Sequence, residues 1–418
     1  MNKKNAIYAQ SGGVTSVINA TAAGVIETAL RSNKINKIYA AKNGILGVLR
    51  EELFDISKEN LKEINKLIYT PGGAFGSCRH KLKEFKDQEN EYSRLVEVFK
   101  KHNIGYFFYN GGGDSQDTVN KISEITAQLG WFVQCIGIPK TVDNDLAYTD
   151  NSPGFGSVAK YVAISTIEAG LDVASMAETS TKVFILEVMG RHAGWIAASS
   201  GLASQVKGDP PHLIIFPEIP FHKSTFLKSV KKTVNKEGYC VIVTSEGAQY
   251  KNGKFLAEAK TKDAFGHKQL GGVAPFLANL IKDSLGYKFH WAVADYLQRS
   301  ARHIASIVDL EQAYSVGKYA VKYAENGDSG VMPIIVRGKG KKYTWKISKA
   351  PLNKIANKEK KLPKKYITKD GFNITKACRE YLLPLIQGEA YPKYKQGIPV
   401  RARLKKILIK KELPNFKI

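Results

Sequence analysis

The chain has 418 residues, of which 43% are hydrophobic, and its 63 lysines and arginines outweigh 38 aspartates and glutamates to give a formal net charge of +25. This length can bury large cores, and the composition argues against a disordered chain. No run of 18 apolar residues occurs, so we expect no membrane partner. The lysines are dispersed, and no RNP-type, zinc-finger or basic-zipper pattern accompanies them, so we expect a solvated surface rather than a nucleic-acid site.

Short apolar runs alternate with segments of helical spacing along the chain. The candidate strands are residues 6–9, 37–41, 106–109, 134–138, 183–188, 213–216 and 239–244. This alternation predicts an α/β fold with parallel sheets and right-handed crossovers. The turn-rich stretch at residues 151–157 separates two groups of strands, and Ser157 is a candidate N-cap of the next helix.

The four cysteines are far apart and form no CxxC pair, so metal chelation by thiolates is not expected. Cys135 and Cys240 lie within apolar runs and are predicted core residues. Cys78 follows glycines and could be exposed, although an inert small residue is the favoured interpretation. With no signal-peptide pattern at the N-terminus, these features predict a reducing, cytoplasmic location.

The densest group of reactive side chains is the sequence PKTVDND at residues 139–145, directly after an apolar run. Ligands of open α/β sheets bind at the carboxyl ends of strands. Asp143 and Asp145 are two residues apart, so an extended backbone would turn both carboxylates the same way. One could serve as a general base and the other could hold a metal or a dipole, while Lys140 could neutralise phosphate charge.

Glycine-rich stretches follow other apolar runs. They read AQSGG at residues 9–13, TPGGAFGSCR at 70–79 and NGGGDS at 110–115. Turns of this kind let backbone N–H groups approach a phosphate closely. The sequence therefore predicts a phosphate-binding edge built from several loops.

These motifs are joined by LEVMGR at residues 186–191, SEG at 245–247 and YLQRS at 296–300. In this order, over roughly residues 5 to 320, the chain resembles the phosphofructokinase family. The resemblance implies two Rossmann-like parallel-sheet domains of phosphofructokinase type. It divides the chain into a donor-binding domain at 1–150, a sugar-phosphate-binding domain at 151–285, and a return to the first domain at 286–418 that includes a basic C-terminal extension.

Residues 250–287 exceed the spacing in short members of the family and are interpreted as an insertion. Within them the heptad GHKQLGG at residues 266–272 echoes the family's last arginine motif but lacks its arginine. The run from Tyr296 to Arg299 fits that motif better.

The resemblance also implies a role for each site residue. Asp143 is the expected general base, with Lys140 and Asp114 completing the catalytic set. The expected donor-binding residues are Gly12, Gly13, Arg79 and Lys140. The expected sugar-phosphate-binding residues are Thr141, Val142, Asp143, Met189, Gly190, Arg191, Glu246, Tyr296, Leu297, Gln298, Arg299, Lys182 and His290.

Two positions indicate which phosphoryl donor is used. The ATP-using branch of the family carries glycine where this chain has Asp114 and Lys140. A carboxylate at 114 would crowd and repel an α-phosphate, whereas a lysine at 140 would suit a compact donor, so the chain resembles the pyrophosphate-dependent branch. The family usually has an aspartate at the position of Gly113 as a metal ligand, so Asp114 is the remaining candidate ligand for the expected Mg²⁺.

Lys182 and His290 align with two arginines that reach across the subunit interface in bacterial ATP enzymes. Both can still contact phosphate, His290 when protonated or through its neutral N–H. The resemblance implies a homodimer or homotetramer, and allosteric control of the bacterial ATP type is not implied.

The expected function is therefore reversible phosphoryl transfer from pyrophosphate to the C1 hydroxyl of fructose 6-phosphate. The alternatives are an ATP-dependent 6-phosphofructokinase and a non-catalytic regulatory subunit of the same fold. A NAD kinase-like protein would share a GGDG loop but lack the MGR and PKTVDND motifs. A polyanion-binding protein is supported by charge alone.

Overall fold

The computed structural model describes residues 3–262, 268–340 and 342–418. The strands are β1 (Lys4–Gln10), β2 (Ile35–Ala41), β3 (Leu53–Asp55), β4 (Ile104–Gly111), β5 (Gln134–Pro139), β6 (Val183–Val188), β7 (Leu213–Ile215), β8 (Cys240–Ser245), β9 (Glu258–Lys262), β10 (Lys268–Leu270), β11 (Phe289–Val293), β12 (Val331–Arg337), β13 (Trp345–Pro351), β14 (Tyr394–Lys395) and β15 (Ile398–Pro399).

The α-helices are α1 (Ile18–Leu30), α2 (Ile45–Leu49), α3 (Leu61–Asn65), α4 (Glu89–Lys101), α5 (Gly113–Gln128), α6 (Phe155–Met176), α7 (Trp195–Ser200), α8 (Lys223–Glu237), α9 (Val273–Leu285), α10 (Asp295–Ser300), α11 (Ile307–Glu325), α12 (Leu352–Ile355) and α13 (Lys376–Leu382). Short 3₁₀ helices span Ile56–Lys58, Lys66–Tyr69, Phe85–Asp87, Arg302–Ile304, Lys364–Tyr366 and Leu383–Ile386. Among the described residues no helix has the length and apolar character needed to cross a membrane.

The first sheet has the order β13-β12-β5-β4-β1-β2-β3. Its central strands β5, β4, β1 and β2 are parallel, and the outer strands β13 and β3 are antiparallel to their neighbours. Every residue of β4 is buried, as expected for a parallel strand covered on both faces. The prediction of parallel sheets is confirmed here, although β3, β12 and β13 were not among the predicted strands.

The second sheet has the order β11-β6-β8-β7, and all its neighbouring strands are parallel. All seven strands predicted from the apolar runs are present in the two sheets, with ends that differ by at most a few residues. Both sheets therefore present the carboxyl ends of several parallel strands along one edge, where loops that carry polar residues meet.

Each sheet is packed on both faces, because alternate side chains of a strand point in opposite directions. In β1, Ile7 and Ala9 belong to one apolar cluster, and Ala6 and Tyr8 belong to another. The second sheet divides in the same way between two further clusters. Each sheet is thus the middle layer of a three-layer α/β unit.

Helices α1 and α11 cross at very close range on one face of the first sheet. A Cβ atom added to Gly24 would lie 2.2 Å from the carbonyl oxygen of Tyr314, and one added to Gly317 would lie 2.2 Å from that of Thr21. Only glycine allows this approach at the two positions. The contact holds α11, which follows the second sheet in sequence, onto the first.

Helix α6 begins at Phe155, so the prediction of Ser157 as its N-cap is wrong. The acceptor comes from another helix: Asp309 of α11 accepts from the backbone N–H of Gly154 at 2.9 Å and from that of Ser157 at 3.0 Å. The Ser157 hydroxyl donates to the same carboxylate at 2.6 Å. A carboxylate at the start of a helix also complements the helix dipole, so Asp309 ties α6 to α11.

The predicted insertion at residues 250–287 divides into two parts. Helix α9 packs against β6 and β8 in the core of the second sheet and connects β8 to β11. It is therefore a layer helix of that sheet, and only the stretch before it departs from the simple alternation. Gly266 and His267, which open the heptad GHKQLGG, lie outside the described residues.

The C-terminal extension contacts both sheets. Leu362, Cys378 and Leu382 are buried in a core cluster of the second sheet. Farther along, the N–H of Asp55 donates to the carbonyl of Ile407 at 2.9 Å, which adds the tail to the outer edge of β3. The extension thus covers the unpaired backbone groups of an edge strand.

The domain limits at residues 150 and 285 stay a prediction, since sheet membership alone does not delimit domains. Strand β11, at Phe289–Val293, still belongs to the second sheet, and the next strand of the first sheet is β12. Before β12, helix α11 already packs on the first sheet against α1.

We expect Asp309→Ala to lower the free energy of unfolding by about 3 kcal/mol or more, because three buried donors lose their acceptor together. Asp309 is 1% exposed. Urea denaturation of the variant would measure the loss. The matched control is Glu311→Ala, which removes an exposed carboxylate from the same helix, and equal stabilities of the two variants would contradict the role given to Asp309.

Candidate active site

Three loops meet at the carboxyl ends of β1, β4 and β5, which are neighbours in the first sheet. The Ser115 hydroxyl at the start of α5 donates to that of Ser11 after β1 at 2.9 Å. The N–H of Lys140 after β5 donates to the carbonyl of Gly111, the last residue of β4, at 3.1 Å. The three glycine- and lysine-bearing loops are therefore joined to one another at one edge.

The glycine-rich stretch at residues 70–79 closes over the first loop. The N–H of Gly12 donates to the carbonyl of Cys78 at 2.9 Å, and the Ser77 hydroxyl donates to that of Gly12 at 2.7 Å. Asn19 in α1 donates to the carbonyls of Thr70 and Gly72. Cys78 is buried, so the suggestion that this cysteine is exposed is wrong.

Cationic side chains converge on Gly13. The Lys140 ammonium donates to the carbonyl of Gly13 at 2.6 Å. A Cβ added to Gly13 would lie 2.6 Å from Nη1 of Arg299 and 3.9 Å from Nη2 of Arg79. A side chain at position 13 would displace the Arg299 guanidinium from the loop, and the combined charge of the three cations favours a compact anion at this place.

Lys140 is only 4% exposed. Burial lowers the pKa of its ammonium to about 7, and the positive charges of Arg299 and Arg79 act in the same direction, whereas Asp143 and Asp145 oppose them. An anion bound beside Lys140 would favour the charged form and raise its pKa.

Asp114 lies in the first turn of α5, and its carboxylate pairs with the Lys81 ammonium at 2.7 Å. Both side chains are partly exposed. Lys81 is not among the residues predicted for the site, and the one feature of the sequence that points to it is its position two residues after Arg79. The Lys81 charge weakens the repulsion that Asp114 would exert on an α-phosphate. The two side chains still occupy space at the start of α5.

The loop after β5 is not extended at its centre, so the expected extended backbone between Asp143 and Asp145 is wrong. Asn144 between them has φ +54°, in the left-handed region. The N–H of Asp143 donates to the Thr141 hydroxyl oxygen at 3.1 Å, so Thr141 shapes the turn. Val142 is buried in a core cluster of the second sheet and anchors the loop there.

Asp143 faces residues from both sheets. Loss of hydration raises the pKa of its carboxyl group above the usual range, and the charges of Asp145 and Glu246 add to the effect. Lys140 and Arg191 oppose it. Lys140 belongs to the first sheet, and Glu246 and Arg191 follow strands of the second. Asp143 therefore lies where the two groups of loops meet, with a proton affinity suited to a general base.

The loops after β6 and β8 are also joined. The N–H of Gly190 donates to a carboxylate oxygen of Glu246, and the N–H of Met189 donates to the side-chain oxygen of Gln298, each at 3.3 Å. Gln298 is 2% exposed and Met189 is partly buried. Gln298 and Glu246 thus both position the loop after β6, by accepting from its backbone N–H groups.

Helix α10 presents a different surface. Tyr296 and Leu297 are 60% and 65% exposed, and the Arg299 guanidinium lies 3.8 Å from the ring centre of Tyr296. The same guanidinium reaches Gly13, so Arg299 links the second group of loops to the first. Leu297 is therefore a predicted site residue whose side chain is largely exposed.

Lys182 and His290 lie away from these loops. Lys182 precedes β6, whereas Arg191 follows it, and a six-residue strand spans about 20 Å. The Lys182 ammonium donates to the carbonyls of Ala177 and Glu178. His290 is exposed on β11, an edge strand of the second sheet. Neither residue joins the site of its own chain.

The described residues contain no group of three or more histidines, cysteines and carboxylates arranged to hold a metal ion. Mg²⁺ in phosphoryl-transfer sites is commonly held by one or two carboxylates together with substrate phosphates and water. A single carboxylate such as Asp114 beside a phosphate-binding loop is compatible with that arrangement, and a cage made by the protein alone is not present among these residues.

Comparisons with known proteins agree with this geometry. The phosphofructokinase family model matches residues 5–324. A relative from Halomonas elongata, named pyrophosphate--fructose 6-phosphate 1-phosphotransferase, is 58% identical over 419 residues and covers 100% of both chains. Crystal structures of the pyrophosphate-dependent phosphofructokinases from Marinobacter aquaeolei and Nitrosospira multiformis are 57% and 56% identical, with TM-scores of 0.91 and 0.92, and each match covers 99% of this chain and 100% of the other. On the family match, the full-length identity and the two-sheet fold, the chain belongs to the phosphofructokinase family.

Proposed function

We propose that the protein transfers a phosphoryl group reversibly between pyrophosphate and the C1 hydroxyl of fructose 6-phosphate. The observation that carries this proposal is the convergence of Lys140, Arg299 and Arg79 on Gly13, beside a carboxylate with raised pKa, Asp143. The first group would bind a compact polyanion, and the second would accept a proton. The relatives named above have the same activity in their names.

The donor half of the site is the joined set of loops on the first sheet. Gly12 and Gly13 allow the phosphates to approach the backbone, and Lys140 and Arg79 neutralise their charge. Phosphoryl transfer needs mainly positioning and electrostatic stabilisation, because the transferring group carries its charge on the outer oxygens. Lys140 already lies at its place, held by Gly13, so little reorganisation is needed.

The acceptor half is the set of loops on the second sheet. Arg191 is suited to a bidentate contact with phosphate, and Glu246 to hydrogen bonds from sugar hydroxyls. In the forward reaction the C1 oxygen forms a bond to the terminal phosphorus of pyrophosphate as the bond from that phosphorus to the bridging oxygen breaks. The hydroxyl proton passes to Asp143, and orthophosphate leaves.

Mg²⁺ would be held by Asp114 together with the donor phosphates, and when bound it would neutralise charge on them.

We also propose that Lys182 and His290 of one subunit complete the sugar-phosphate site of another in a homodimer or homotetramer, because neither reaches the site of its own chain. A reducing, cytoplasmic location fits the four cysteines, which are all free and buried.

Asp143→Asn should lower kcat by about 10²–10⁴-fold and leave the KM for fructose 6-phosphate within about threefold, because a base acts mainly in the transition state. Steady-state kinetics with pyrophosphate as donor would measure both constants. A variant that kept kcat within about threefold of the wild type would contradict the role of Asp143. If the wild type and the variant were both nearly inactive, the result would favour the alternative of a non-catalytic regulatory subunit.

The wild-type protein should use pyrophosphate and should use ATP about 100-fold less well or worse, since Lys140 lies beside Gly13 and Asp114 would crowd and repel an α-phosphate. Coupled assays with each donor would measure this ratio and would test the proposed function itself. Equal rates with the two donors would favour an ATP-dependent 6-phosphofructokinase.

Two further variants would separate the effect of the Asp114 charge on donor choice from the effect of its volume, in the same assays. The double variant Asp114→Gly with Lys140→Gly should raise the ratio of ATP to pyrophosphate activity, although both rates should be low because two polar contacts are lost. Asp114→Asn is the matched control that removes the charge and keeps the volume. A ratio that stays flat in the double variant would contradict the donor argument.

The pH dependence of kcat/KM should be bell-shaped once substrate ionisation is taken into account. Asp143 acts as a base only when deprotonated, and its raised pKa makes activity increase as the pH rises. Lys140 acts only as an ammonium, and its pKa of about 7 in the free protein makes activity fall at higher pH. Measurement from pH 6 to 9, about three units around these groups, would check the shape. If kcat/KM still increased with pH at the alkaline end of this range, the positive charge of Lys140 would not be needed for activity.

A further inference from the structure

A dipeptide of the C-terminal extension lies against the loop that carries the base. This loop, residues 141–150, is called the catalytic loop below. Glu359 forms an antiparallel bridge with Leu146, and the N–H of Lys360 donates to the carbonyl of Asp145 at 2.6 Å. Residues 359 and 360 lie beyond the segment that the family model matches.

The same dipeptide also contacts the segment that follows Arg191. The indole N–H of Trp195 donates to the carbonyl of Lys360 at 2.9 Å. Nδ1 of His192 lies 2.9 Å from a carboxylate oxygen of Glu359. The dipeptide therefore lies between the catalytic loop and the segment that leads from the sugar-phosphate motif.

The Lys360 ammonium is directed into the catalytic loop. It donates to Oδ1 of Asn144 at 3.3 Å and to the carbonyls of Thr149 and Asp150 at 3.1 Å and 2.8 Å. An ammonium has three N–H donors, and each finds an acceptor in this loop. Loss of hydration lowers the pKa of Lys360 to about 8, which the charges of Asp150 and Asp145 partly offset.

The acceptor Asn144 is the left-handed residue between Asp143 and Asp145. Its Oδ1 also accepts from the N–H of Ser152 at 3.0 Å, and its Nδ2 donates to the Tyr381 hydroxyl at 3.1 Å. The Tyr381 hydroxyl donates in turn to the carbonyl of Asp150 at 2.6 Å. Two residues of the extension, Lys360 and Tyr381, thus hold the amide of Asn144 from two sides.

A left-handed backbone is unfavourable for most non-glycine residues, although asparagine tolerates it better than the others. The hydrogen bonds of the Asn144 side chain stabilise its backbone at φ +54°. If that residue relaxed toward an ordinary backbone conformation, the directions of both flanking carboxylates would change.

We propose that Lys360 is a positioning residue for phosphoryl transfer, acting through Asn144 to hold Asp143 in the orientation that accepts the proton. The catalytic part of this inference rests on the proposed function. Its structural part, that Lys360 restrains the catalytic loop, does not.

The test compares Lys360→Met with the wild type. Methionine is an unbranched apolar side chain that keeps most of the length of lysine and lacks the ammonium. We expect kcat with pyrophosphate to fall by about 10- to 100-fold, because misplacing a reactive group by about 1 Å has an effect of this size, while the KM values stay within about threefold. Amide hydrogen exchange should become faster in peptides covering residues 141–152. The matched control is Lys364→Met, an exposed lysine nearby, which should change neither quantity.

A double-variant cycle tests the route through Asn144. Asn144→Ala and the combination of Asn144→Ala with Lys360→Met should lower kcat to a similar extent, because Asn144→Ala already removes the amide through which Lys360 is proposed to act. Losses that multiply would show that Lys360 acts independently of Asn144 and would overturn the positioning role.

Tyr381→Phe is the second variant, to be used if Lys360→Met does not fold. It removes only the hydroxyl group and keeps the ring packed against Trp195. It should lower kcat and speed exchange in the same peptides. An unchanged kcat together with unchanged exchange in the variant that folds overturns the inference, and so does faster exchange spread evenly over the whole chain.

The two proposals fail in different ways in these experiments. A wild-type protein that transfers no phosphoryl group from either donor contradicts the proposed function. The exchange comparison still decides whether Lys360 restrains the catalytic loop, because that measurement needs no substrate.

Discussion

The structure depends above all on placing a cluster of positive charge at one edge of the first sheet. Lys140 is almost fully buried there, and burying an ammonium is unfavourable unless its donors are satisfied. The carbonyl of Gly13 supplies one acceptor, and this contact requires the loops after β1 and β5 to lie side by side. The adjacent order of β5, β4 and β1 provides that arrangement. The strand order of the first sheet thus keeps side chains of like charge close together, in an arrangement that favours the binding of an anion.

Much of the fold could be predicted from local sequence, because buried parallel strands appear as short apolar runs and phosphate loops need glycine. What failed was governed by contacts between distant residues. Ser157 has the side chain of an N-cap, but Asp309, 152 residues away, provides the acceptor. Strand β12 has no local signal that places it beside β5. The helix cap and the strand pair both join residues that are far apart in the chain, so no single stretch of sequence reveals them.

The candidate site, like the fold, could be predicted from the sequence only where local motifs determine it. Lys140, Asp143 and Arg191 lie in recognisable motifs, and the structure brings them near one another. Local spacing alone could not reveal the left-handed backbone of Asn144, because the neighbouring residues set it through hydrogen bonds. Nor could it reveal the partner of Asp114, since Lys81 belongs to a loop 33 residues earlier in the chain. Charges predicted one at a time were therefore assigned without the ions that balance them.

The path of the chain through the first sheet has a consequence for folding. Strand β12 pairs with β5 only after the whole second sheet has intervened in sequence. Such non-local pairing is slow to form, because a long loop must close first. During synthesis β5 would be left with an open edge while the second sheet is being made, and open edges favour association between chains. The last hundred residues therefore complete the first sheet and close an edge through which nascent chains could aggregate.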